Sequence, residues 1–212
     1  MKTNDTFDEG CRLCPRLATF LDEVGEKYPD YHAAPVSPFG DADPGLLIVG
    51  LAPGMHGANA TGRPFTGDFA GVMLYETLYK FGFSTAPESL SRDDGLRLLN
   101  CRITNAVKCL PPQNKPETSE IKSCNPYLAQ ELHALKRGSV VLALGTIAHA
   151  AVLRAQELKQ AACKFGHGAE HELPGGLRMI DSYHCSRYNT QTKRLTEAMF
   201  HDIFARAKEM LA

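Results

Sequence analysis

Four short apolar, β-branched runs dominate the sequence, at residues 46–51, 102–107, 140–144 and 177–183. Each is too brief to span a membrane and too continuous to expose one face, so each reads as a strand buried on both sides. Helical patterns fill the intervals. Residues 69–81 follow the first run and 146–158 the third. In 118–136 the apolar positions Ile121, Cys124, Leu128, Leu132 and Leu135 step by three and four, which is one helical face. The same spacing places Leu195, Met199, Ile203, Ala207 and Met210 on one face of 191–211, and 15–27 reads as a helix ahead of the sheet. Strand–helix alternation demands a parallel sheet with helices on both faces. The expectation is an α/β fold, a three-layer α/β/α domain on a central four-stranded parallel sheet. The 212 residues, 43% hydrophobic, suit a single domain over 1–212 with an N-terminal segment carrying the first cysteines.

Ligands of such sheets bind beyond the carboxyl ends of the strands, and unusual chemistry collects there. After the first run comes GLAPGMHGANATGRPFTGD, a loop with five glycines around a single phenylalanine, Phe65. It lacks the Gly-Lys-Ser/Thr end of a P-loop and the G-x-G-x-x-G of a dinucleotide site. Glycines at Gly50 and Gly54, with Ala52, let backbone approach a ligand closely, and Phe65 offers an aromatic platform, where the plain alternative is a core side chain. The second run carries Asn105, whose burial without partners would cost on the order of several kcal/mol. A ligand could supply those partners; so could a neighbouring loop. After the fourth run comes His184-Cys185-Ser186-Arg187.

Seven cysteines punctuate the chain. Cys11-x2-Cys14 is a chelating pair, and Cys109 and Cys124 complete a four-thiolate set, which by count suits tetrahedral zinc or a [4Fe–4S] cluster equally. A rival zinc set is Cys163-x3-His167-x3-His171, although Gly166 and Gly168 interrupt it. The N-terminus lacks the apolar core of a signal peptide and no run reaches membrane length, so a cytoplasmic protein with no membrane partner is expected. The net charge of −1 announces no nucleic-acid partner, but HCSRYNTQTKR is locally basic and free of acids.

Three segments, GLAPGMHGANATGRPFTGD, ITNAVKCLPPQNKP and DSYHCSRYNTQTKRLT, resemble the uracil-DNA glycosylase superfamily, and within it the type B, family 5 iron–sulfur enzymes. The resemblance runs from Cys11 to the last helix. It implies a [4Fe–4S] cluster on Cys11, Cys14, Cys109 and Cys124. It implies that Phe65 stacks on an extruded base, that Asn105 lies in the catalytic pocket, and that His184 lies against the base. It also implies that Ser186, Arg187, Tyr188 and Asn189 enter the DNA where the base has left. Cys185 stands where the family usually has proline, which leaves that loop less stiff. Gly54-Met55 replaces Ala-Ala, which would let Met55 reshape the pocket wall.

A base within a duplex must be flipped out before it is cut. Aromatic stacking, worth about 1–3 kcal/mol per base, offsets part of that cost. The implied activity is a monofunctional DNA-repair glycosylase acting, as a monomer in the nucleoid, on DNA that contains uracil or other deaminated bases such as hypoxanthine and xanthine. His184 is the expected donor to the departing base. Leu51 and Ala52 stand where other branches place an acid or amide to position water, which leaves Asn105 and Asn59 as the polar candidates. Lys108, Lys115, Lys193 and Arg194, with Arg187, are the expected phosphate contacts. The competing readings are a protein that binds uracil-DNA without turnover or covalently, and an iron–sulfur redox sensor. A narrow family 4 enzyme would carry Glu where Leu51 stands.

Overall fold

The computed structural model describes residues 7–212; the first six, part of the stretch read as leaderless, lie outside them. Strands β1 (Phe39–Gly40), β2 (Leu46–Gly50), β3 (Cys101–Asn105), β4 (Val140–Leu144), β5 (Glu170–Leu173) and β6 (Leu177–Ser182) form one sheet in the order β1-β3-β2-β4-β6-β5. The inner strands β3, β2, β4 and β6 are parallel, and β1 and β5 close the edges antiparallel. The four runs read from the sequence are therefore the parallel centre of a wider, six-stranded sheet.

The helices are α1 (Pro15–Lys27), α2 (Ala58–Thr61), α3 (Phe69–Phe81), α4 (Thr118–Ala134), α5 (Thr146–Ala155), α6 (Arg187–Gln191) and α7 (Glu197–Leu211). Alternating side chains of the inner strands feed two cores, as the period of two requires. Leu46, Ile48, Ile103, Leu142 and Ile180 pack under α3 and α7. Leu47, Val49, Val141, Ala143 and Met179 pack under α4 and α5. A third cluster joins Leu17, Leu21 and Val24 of α1 to Val107, Cys109 and Leu110, which brings the N-terminal segment to the end of β3.

Helix starts follow cap chemistry. Asp68 accepts from the Gly71 N–H at 2.8 Å, and Thr196 caps α7 by accepting from the Met199 N–H. The helix expected over 191–211 therefore starts later, at Glu197, because Thr196 caps its first turn, and the short α6 ends at Gln191. Among the described residues no helix is long and apolar enough to cross a membrane.

Candidate active site and four-thiol centre

The chain leaves β2 for β3 and returns across β2 to β4, so the carboxyl ends of the inner strands meet. A cavity of about 740 Å³ opens there, lined by Leu51, Asn105, Leu144, Gly145 and His184 from the four strand ends and by Ala52, Gly54, Met55, Phe65 and Asp68 of the glycine loop.

Phe65 is buried and sits at φ +55°, a region bulky residues avoid. Its surroundings hold it there. The Tyr75 hydroxyl donates to the Pro64 carbonyl at 2.9 Å. Arg63, buried, donates to Asp94 at 2.7 Å and lies over the Phe39 ring. A Cβ on Gly71 would stand 1.8 Å from the Phe65 carbonyl oxygen, so only glycine fits beneath this turn. The Phe65 ring stacks on His184 with centroids 5.9 Å apart and planes at 25°.

Gly50 serves this packing. A Cβ there would lie 2.4 Å from Asn105 Oδ1 and 2.8 Å from the Phe65 ring. Gly50→Ala is expected to destabilise the protein by about 1–3 kcal/mol through overpacking. It should also shift the ring resonances of Phe65 and His184. Gly54→Ala, whose Cβ would meet only Asp68 Oδ2 at 3.4 Å, should leave both unchanged. Urea unfolding and NMR of the two variants check this.

Two buried polar atoms at the cavity have no partner among the described residues: Asn105 Oδ1 and His184 Nδ1. Burial holds the His184 pKa down to about 4, so its ring is neutral at physiological pH. Asn59 is also buried with an unpartnered amide, but it lies in α2 and does not line the cavity. The group that the sequence pattern passed over is Asp68, the one carboxylate among the described residues that line the cavity. Burial raises its pKa, against the Gly71 and Ala70 N–H groups that lower it. The only signal in the sequence was an Asp just before a helix, which reads as a cap; the cap is real, and the same side chain faces the cavity.

The segment after β6 is anchored rather than slack. Cys185 is fully buried and its thiol donates to the Ala70 carbonyl at 3.4 Å. Asn189 Nδ2 donates to the His184 carbonyl at 2.8 Å, and Ser186 caps α6. Cys185 thus ties the loop to α3, where the sequence suggested only the loss of a stiffening proline. Arg187 and Tyr188 point outward: Tyr188 is 71% exposed, and the Arg187 guanidinium lies over the Phe69 ring at 5.1 Å. Arg194 lines the cavity over Tyr183, and Lys115 is exposed. Lys108 is the correction among the expected phosphate contacts. It is 1% exposed and its ammonium donates to Glu131 at 2.7 Å and to Thr104, so it cannot reach a phosphate.

Cys11, Cys14, Cys109 and Cys124 line one small cavity between α1, the end of β3 and α4. Burial, then the charges of Cys124, Cys11 and Cys14, push the Cys109 pKa up to about 12. Burial also drives Cys124 up to about 11, against the Lys108 charge and its N–H, which donates to Cys124 Sγ at 3.3 Å. Four thiols around one cavity supply the donor set of a shared metal centre, which would take them up as thiolates. The donor set fits such a centre.

The rival zinc set does not assemble as spaced. His167 Nδ1 accepts from the Tyr183 N–H, while His171 joins His149 and Asp181. Asp181 is fully buried between the two imidazoles, 2.8 Å from His149 Nδ1 and 3.1 Å from His171 Nε2. His149 Nε2 also lies 3.1 Å from the Cys163 carbonyl. Desolvation alone would lower the His149 pKa, but the Asp181 hydrogen bond and charge, with that carbonyl, leave it raised above 6.5. A raised folded pKa contributes stability below the unfolded value that is lost as pH climbs through the folded one. Melting temperatures should therefore fall as pH climbs from about 6.5 through the raised His149 pKa, and His149→Gln should flatten that fall.

The chain matches the family model described as the uracil DNA glycosylase superfamily over residues 37–208. A relative from Thermus thermophilus, named type-5 uracil-DNA glycosylase, is 48% identical and the match covers 94% of this chain and 93% of the relative. One of the same name from Mycobacterium bovis is 41% identical over 94% of this chain and 78% of its own length. A type-4 uracil-DNA glycosylase from Pyrobaculum aerophilum is 38% identical, but over only 54% of this chain. On a sheet whose strand ends meet at a single cavity, a match that spans nearly the whole length decides the matter: the chain belongs to the uracil-DNA glycosylase superfamily, among its type-5 members.

Proposed function

We propose that this glycosylase hydrolyses the N-glycosidic bond of uracil, and of hypoxanthine and xanthine, in DNA by flipping the nucleotide into the cavity beneath Phe65, and leaves an abasic site. The observation that carries this reading is the pair of unpartnered polar atoms, Asn105 Oδ1 and His184 Nδ1, at a cavity walled by an aromatic ring and one carboxylate. Buried groups without partners await a ligand that supplies them. Phe65 stacks on the extruded base in place of its lost neighbours. Asn105 bonds the base edge and orients the attacking water.

The C1′–N bond breaks with its electron pair passing to the base, while the water oxygen bonds to C1′, keeps one proton as the new hydroxyl and passes the other to Asp68. His184, neutral, donates an N–H to the departing base; loss of one such donor costs about 10²–10³ in rate. Asp68 as an anion also stabilises the positive charge that builds on the sugar. Arg187 and Tyr188 contact the DNA around the gap, and Ser186 and Asn189 hold that loop in place.

Cys11, Cys14, Cys109 and Cys124 would hold a [4Fe–4S] cluster. When bound, it cross-links the N-terminal segment to the end of β3 and to α4. Labelled duplexes with a single uracil or hypoxanthine test the reading. Strand breakage only after hot alkali is expected. Intact strands with no adduct would leave a damage binder, and a gel-stable adduct a covalent one.

A further inference from the structure

Lys108 is one of the largest fully buried side chains, and a buried ammonium must be matched by negative charge. The match inside the protein is incomplete. Lys108 Nζ lies 2.7 Å from Glu131 Oε1, but the same carboxylate faces Arg102, whose Nε is 3.5 Å from Oε2. Two cations share one anion. Lys108 also lines the small cavity of the four cysteines, and its backbone N–H donates to Cys124 Sγ at 3.3 Å. Glu120, whose charge acts on Cys14 and Cys109, is already met by Arg16 at 2.8 Å. The Lys108 ammonium also lies 5.9 Å from the Phe7 ring of that cavity, and its charge acts on Cys124 against the effect of burial.

We infer that Lys108 is the built-in counter-charge of the four-cysteine centre, a positioning residue whose ammonium and backbone N–H together set how firmly a [4Fe–4S] cluster is held and how readily it accepts an electron. A cluster on four thiolates carries net negative charge, and its potential follows local charge and hydrogen bonds to sulfur. A fixed cation beside it favours the reduced form. Glu131 acts in the opposite sense by offsetting part of that cation. This rests on the cluster reading proposed above.

The test uses cluster-loaded protein and two readouts: reduction potential by voltammetry, and the rate at which a chelator strips iron. Lys108→Met is expected to shift the one-electron equilibrium about tenfold toward the oxidised form, which is roughly 59 mV, and to speed iron loss. Lys108→Arg should restore both. Glu131→Gln should move the potential the other way, which a purely packing role would not do, and it keeps the test decisive should Lys108→Met fail to fold. Unchanged potential and iron retention in a folded Lys108→Met variant overturn the inference alone, as does a shift of the same sign for Glu131→Gln. Wild-type protein that holds iron without the stoichiometric sulfide of a cluster overturns the cluster reading and this inference together.

Discussion

Asn105→Ala is expected to lower the single-turnover rate on uracil-containing duplex by about 10²–10³ without lowering the melting temperature. The two effects separate for a physical reason. Asn105 is 3% exposed at the end of β3, and its Oδ1 has no partner. An unsatisfied buried acceptor costs about 1–3 kcal/mol, so its removal leaves stability unchanged or improved. On the proposed reading the partner it lacks is the bound nucleotide or the water beside it, so the loss is expected to fall on the reaction. Quench-flow rates and thermal melts on the same preparation measure both. A variant that loses stability and keeps its rate would make Asn105 a structural residue and remove it from the mechanism.

Asp68→Asn is expected to lower the plateau rate by about 10²–10⁴ and to remove the part of the acid limb that its carboxyl sets. Burial raises the Asp68 pKa, so the wild-type carboxyl is neutral at low pH and inactive as base and anion. Activity then rises as pH climbs through that pKa. His184 takes a proton only at about pH 4, so its own limb lies there and stays in the variant. Asparagine also caps helices well, so the bond to the Gly71 N–H at the start of α3 survives the change and the fold is retained. The profile of kcat/KM over pH reports these groups in the free enzyme. An unshifted acid limb above about pH 4 in Asp68→Asn would assign it to another group.

Much of the fold was legible because its centre is uniform. Every residue of β2 and β4 is buried, so a continuous apolar run marks each of them. Helix α3 was bounded by its composition, and its stop is Gly82 in the left-handed region at φ +80°. The edge strands were not legible. β1 has two residues, and β5 reads Glu-His-Glu-Leu with one buried position; edges face water on one side and carry little apolar signal.

The site divides along the same line. The sequence by itself determined which residues stand at the strand ends, so Asn105, His184 and the glycine loop with Phe65 were visible from pattern and resemblance. The four cysteines were visible from their chemistry. Tertiary structure alone decided what each side chain meets. It turned Lys108 from a presumed surface contact into a buried ion pair with a carboxylate 23 residues away. It set Cys185 as a fastening onto α3, left Asn59 off the cavity, and placed Asp68 both at a helix start and in the cavity wall. Periodicity records burial along one dimension. Charge pairing and cavity membership arise only when distant segments close on one another, and no local pattern encodes that distance.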